Sequence, residues 1–73
     1  MSRIINVFVC DKDGYGLSGC KVKLYGGDQV KTDRSGKAAL IAEGSTCTVY
    51  VDGREVYNGS VRNAPDPIVY RKN

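Results

Sequence analysis

The residues whose chemistry has to be weighed first are Cys10, Cys20 and Cys47, together with Asp11 and Asp13. The cysteines are odd in number and none forms a closely spaced pair, and the chain contains no histidine, so the usual zinc donor sets are missing. An odd count also argues against a disulfide scaffold of the secreted kind. The reading adopted for all three is a small buried apolar side chain, with a Cys10–Cys20 or Cys20–Cys47 bridge as the alternative. Asp11 and Asp13 stand before Gly14 as the first ligands of a calcium loop would, but the further oxygen ligands and closing Glu of such a loop do not follow. Turn capping is the expected role. Without histidine, neither a Ser-His-Asp nor a Cys-His arrangement can be assembled, and no glycine-rich phosphate loop opens a helix. Asn58-Gly59-Ser60 fits a glycosylation acceptor and is read as a chance match. The chain is therefore expected to be no enzyme and to hold no metal and no cofactor.

What remains is binding chemistry. Lys21, Lys23 and Tyr25 alternate along one segment, and Lys31 and Lys37 fall near them if the next two segments continue the same sheet. Basic side chains interleaved with tyrosine can hold a phosphate backbone and stack bases. The plainer reading is that these lysines solvate an outer face and guard strand edges. Tyr50, Tyr57 and Tyr70 form a second candidate face on the other sheet, since tyrosine favours interfaces; alternatively their rings close a small core.

The elements that must position these side chains are short strands. Turn signals recur every eight to twelve residues: Lys12 to Gly16, Gly26 to Asp28, Asp33 to Gly36, Glu43 to Ser45, Asp52-Gly53 and Asn63 to Pro67. Between them, Ile5, Val7 and Val9 share one face of the first segment, and Cys20, Val22 and Leu24 oppose Lys21, Lys23 and Tyr25 in the second. Cys47, Val49 and Val51 oppose Thr46, Thr48 and Tyr50. Asp52-Gly53 predicts a two-residue hairpin turn of type I′, and the last strand, Ile68 to Arg71, starts after Pro67. No window carries helical periodicity. The alternation predicts an all-β fold of about seven short antiparallel strands, in one domain over 1–73.

Composition sets the outer limits. The aromatic content is one Phe and five Tyr, so the core has to be built from Val, Ile, Leu and small residues. A net charge of +3 is compatible with an acidic partner without requiring one. No signal peptide of normal build is present, and the longest apolar run, Ala38 to Ala42, is far too short to span a bilayer. The expectation is no membrane insertion and a cytoplasmic chain, or one assembled into a particle from the cytoplasm.

The order of signals resembles a known family. Val7 to Leu24 reads VFVCDKDGYGLSGCKVKL, a strand, an Asp, a glycine turn, Leu17, Gly19 and an alternating strand. Thr32 to Leu40 reads TDRSGKAAL, and Thr48-Val49-Tyr50-Val51 follows a further glycine turn. Over Ile5 to Val51 this resembles the carboxypeptidase regulatory-like, or transthyretin-like, β-sandwich domain. The resemblance implies an Ig-like Greek-key sandwich, Leu17 plugging one end of it, and a small buried residue at Cys20. It also implies scaffolding, spacing or binding rather than catalysis, and by analogy a component of a larger bacterial or phage assembly. Some relatives carry an isopeptide lysine two residues before the Asp that ends the first strand; Val9 stands there, so none is expected. The leading expectation is a non-catalytic structural or protein-interaction module, with a protein partner or self-association. The alternative is a small nucleic-acid-binding β-barrel that uses the basic Lys/Tyr face.

Overall fold

The computed structural model describes residues 2–72. Its strands are β1 Ser2–Cys10, β2 Lys21–Leu24, β3 Gln29–Lys31, β4 Lys37–Glu43, β5 Thr46–Val51, β6 Arg54–Ser60 and β7 Ile68–Arg71. They form two packed sheets, one of three strands in the order β4-β1-β7 and one of four in the order β3-β2-β5-β6. No strand pairs from one sheet to the other, so the sheets do not close into a barrel. The expectation that every pair is antiparallel needs correcting: β7 runs parallel to β1, from Val7 opposite Ile68 to Cys10 opposite Arg71. The chain crosses between sheets after β6, and the end of the molecule at which it arrives sets the direction of β7. Residue alternation carries no information about that direction, because its period is two in either case.

Alternation does decide what lies inside. Ile5, Val7 and Val9 of β1 meet Val22 and Leu24 of β2, Ala38, Leu40 and Ala42 of β4, and Val49 and Val51 of β5 in one buried cluster. Fully burying a Val or Leu side chain contributes roughly 1.5–3 kcal/mol before chain entropy is set against it. Leu17 packs against this cluster from the β1–β2 connection, and Cys20 lies within it.

One backbone crossing and two side chains tie the loops to the sheets. Gly36 has φ +82°, and a Cβ there would stand 2.4 Å from the Val9 carbonyl oxygen and 2.7 Å from the Cα of Gly16. A Cβ on Gly16 would in turn fall 1.9 Å from the Ser35 carbonyl oxygen, so two bare backbones cross where the β1–β2 loop meets the β3–β4 turn. Thr32, the buried polar residue of the core, donates its hydroxyl to the Leu17 carbonyl at 2.6 Å and accepts from the Cys20 amide at 2.9 Å. At the other end, the Arg3 guanidinium donates to the carbonyls of Val61, Arg62 and Ala64, fastening the β6–β7 connection to β1.

Candidate functional site

The outer face of the four-stranded sheet brings Lys21, Lys23 and Lys31 together. Lys21 on β2 stands opposite Lys31 on β3, and Lys23 lies between Gln29 on β3 and Tyr50 on β5. Tyr25 follows β2 directly and is held beside β5 by its amide, which donates to the Thr48 carbonyl at 3.0 Å. A shallow groove of about 630 Å³ runs between Lys21, Lys23, Tyr25, Gln29, Tyr50 and Asp52. Lysines directly opposite each other repel, so an anion beside Lys21 and Lys31 on this face would relieve both. Asp52 tempers the positive field at one end. Its carboxylate accepts from the Lys21 amide at 3.0 Å and from the Lys72 ammonium at 2.5 Å, and the Lys72 hydrogen bond foremost holds its pKa below the ordinary aspartate value.

Lys37 does not join this face. The chain passes from the four-stranded to the three-stranded sheet through Thr32–Gly36, so β4 does not continue the sheet of β3, and Lys37 stands opposite Phe8 of β1. The tyrosine set is also divided. Tyr50 belongs to the lysine groove, whereas Tyr57 stands opposite Val49 and Tyr70 opposite Val9, both partners fully buried. Tyr57 and Tyr70 pack against the core, and the Tyr57 hydroxyl donates to the Ser60 carbonyl at 2.6 Å. They close the core rather than line an outer face.

The second outward surface is one that sequence reasoning missed. Ile4, Ile41 and Val69 all point outward from the three-stranded sheet and are 58%, 60% and 60% exposed. Ile4 stands opposite Ile41, Asn6 opposite Ala39, and half-buried Phe8 lies between Lys37 and Val69. These side chains make an apolar cluster linked through Ala39 and Phe8, with Asn6 in its midst and Lys37, Glu43 and Arg71 at its margins. The signal was present in β1, where Ile4, Phe8 and Cys10 are apolar on the side away from Ile5, Val7 and Val9; a strand apolar on both sides is one covered on both sides. Beside this face a groove of about 620 Å³ lies between Asn6, Phe8, Lys37, Ala39, Asp33 and Pro67. Asn6 donates to the Asp66 carboxylate at 2.9 Å along its rim.

Of the two residues weighed for metal binding, Asp11 caps its own turn, as Asp33 does the turn before β4. Asp11 accepts from the amides of Asp13 at 2.8 Å and Tyr15 at 3.0 Å, and Asp33 accepts from Ser35 at 2.8 Å and Lys37 at 3.0 Å. Among the described residues no three or more His, Cys, Asp or Glu side chains are grouped to hold a metal ion. The cysteines are free thiols, Cys10 and Cys20 buried and Cys47 half-buried. Burial pushes the Cys47 thiol pKa up, against a smaller opposing effect of the Arg3 charge. Among the described residues no helix is long and apolar enough to cross a membrane.

Fold and faces together define a small all-β domain of two packed sheets, with one outer face basic and one apolar. No known protein family, curated protein or solved structure matches this chain.

Proposed function

We propose that this protein is a non-catalytic interaction module that serves as a component of a larger assembly, docking through the outer face of its three-stranded sheet. The observation that carries the reading is the cluster of Ile4, Ile41 and Val69, more than half exposed on one sheet face with Phe8 and Ala39 among them. Scattered surface apolar residues need no explanation, but an apolar cluster on one sheet face of so small a protein is the mark of a contact surface. We further propose that the chain is a transthyretin-like sandwich of the carboxypeptidase regulatory-like kind. The strand–Asp–glycine turn at Asp11–Gly14 and the Thr32–Gly36 turn support that assignment, as does the two-sheet architecture. Assembly from the cytoplasm fits the same reading.

A second reading rests on the lysine groove. Lys21, Lys23 and Lys31 lie together with Tyr25 and Tyr50, a combination suited to an anionic polymer with stackable rings. Such binding would use an open sheet face rather than a barrel. One experiment separates the two. The tagged chain is expressed in the cells that make it, and the size of the complex it enters is measured for wild type, Ile4→Lys/Val69→Lys and Lys21→Glu/Lys23→Glu. The module reading predicts that the Ile4/Val69 variant alone falls to the size of the free chain. Release by the Lys21/Lys23 variant, together with salt-sensitive retention of wild type on heparin, would favour the second reading instead.

A further inference from the structure

Strand β4 lies at an edge of the three-stranded sheet, with β1 as its single strand neighbour. Asp33 marks which main-chain groups face outward. Its amide donates to the Lys37 carbonyl at 2.9 Å, and its carboxylate accepts from the Lys37 amide at 3.0 Å, so both main-chain groups of Lys37 point away from β1. Alternation along the strand turns those of Ala39, Ile41 and Glu43 the same way. Among the described residues none of these three has a main-chain hydrogen bond on that outer side.

The other edges are guarded. β3 has only three residues and sets Lys31 beside Lys21, β6 carries a bulge opposite Val49/Tyr50, and β7 has only four residues. β4 is seven residues long, Lys37-Ala38-Ala39-Leu40-Ile41-Ala42-Glu43, with no proline, no bulge and a charge only at each end. Those end charges are opposite in sign and equidistant from Leu40. Both side chains are exposed, and neither has a salt-bridge partner within the chain among the described residues.

We infer that β4 pairs antiparallel with β4 of a second copy of this chain, about a two-fold axis at Leu40. This register sets Ala39 opposite Ile41 of the second copy, twice by symmetry. Each pair then exchanges two main-chain hydrogen bonds through groups that are free in one chain. It also brings the Lys37 side chain of each copy toward the Glu43 side chain of the other on the same sheet face, beyond the last ladder pair, since Asp33 occupies the edge beside Lys37. Because the Lys37 main chain is already held by Asp33, the ends meet through these side chains and not through further ladder bonds. The pair joins the two apolar faces side by side in one six-stranded sheet. It therefore rests on the proposed role of that face and doubles the surface offered to an assembly.

The test is sedimentation of the purified chain up to about 1 mM, a concentration at which even weak pairing shows. Wild type is expected to form a reversible dimer. Lys37→Glu and Glu43→Lys, each placing like charges opposite one another twice, are expected to weaken it roughly tenfold, and the double variant to restore it. A wild type that stays monomeric overturns the pairing, as do single variants that dimerise like wild type or a double variant that stays monomeric. A dimer broken by Ile4→Lys/Val69→Lys but indifferent to the charge reversals would put the contact on the face instead, and so overturn it too. The charge reversals do not test the native complex of the preceding section, whose loss is read separately with Ile4→Lys/Val69→Lys, away from β4.

Discussion

Thr32 is the residue on which the loop architecture depends most directly. Its hydroxyl joins the Leu17 carbonyl and the Cys20 amide, so one side chain just after β3 spans the Leu17–Cys20 turn that leads into β2. Thr32→Val keeps the shape of the side chain and removes both bonds. Leaving the buried Cys20 amide without a partner is expected to cost about 1–3 kcal/mol, read as a lower urea midpoint at unchanged slope. A midpoint equal to that of wild type would show that water replaces the hydroxyl. This role was not legible beforehand. The Asp33 cap acts within four residues and could be read from Thr32-Asp33-Arg34-Ser35-Gly36, whereas the partners of Thr32 lie twelve and fifteen residues away. The burial of Cys20 was legible, because it shares the alternation of Val22 and Leu24.

Among the elements, the turns carry the titration. Asp33 has its pKa lowered, first by the hydrogen bond from the Lys37 amide, against an opposing desolvation effect, with the Ser35 amide adding a smaller share. Asp52 is lowered chiefly by Lys72, whose own pKa is raised by the same contact. At Asp52-Gly53 both residues have positive φ, 50° and 83°, as a type I′ hairpin turn requires. Carboxylates depressed in the folded state stabilise it above their unfolded value, and that contribution is lost as the pH falls through the folded value. The unfolding free energy is therefore expected to hold from neutral pH down to about 5 and to decline below about 4. Asp33→Asn should flatten that decline while leaving the neutral-pH fold intact. A raised lysine acts in the opposite sense, so the Lys72 contribution is full below its unfolded value and fades above about pH 10.5. Urea titrations across pH check both limbs, and an acid limb unchanged in Asp33→Asn would contradict the first. Strand positions and faces were readable from alternation and Gly/Asp turns to within a residue or two. The parallel β1–β7 pair was not, nor was the separation of β4 from β3, because both depend on where the chain crosses between sheets.

For the whole molecule, what distinguishes this small domain is the unequal character of its two outer faces. The lysine-bearing face looked from the sequence like the surface to weigh first, because charge and tyrosine stand out against a polar alternation. The apolar face starts from Ile4 and Phe8, on the side of β1 away from Ile5, Val7 and Val9 and separated by Asn6, and its extent became visible only when β4, β1 and β7 were set side by side. The basic face gathers Lys21, Lys23 and Lys31 but not Lys37, and its groove holds Tyr25 and Tyr50 of the tyrosines. The central claim is that the three-stranded sheet is the contact surface of an assembly component. Its most direct test is site-specific photo-crosslinking in the cells that make the protein, with a photoreactive residue at Val69 or at Lys23. Val69 and Lys23 are both exposed and lie on opposite sheets. Docking through the three-stranded sheet gives a discrete crosslinked species from position 69 and none from position 23. Crosslinking from position 23 alone would contradict it.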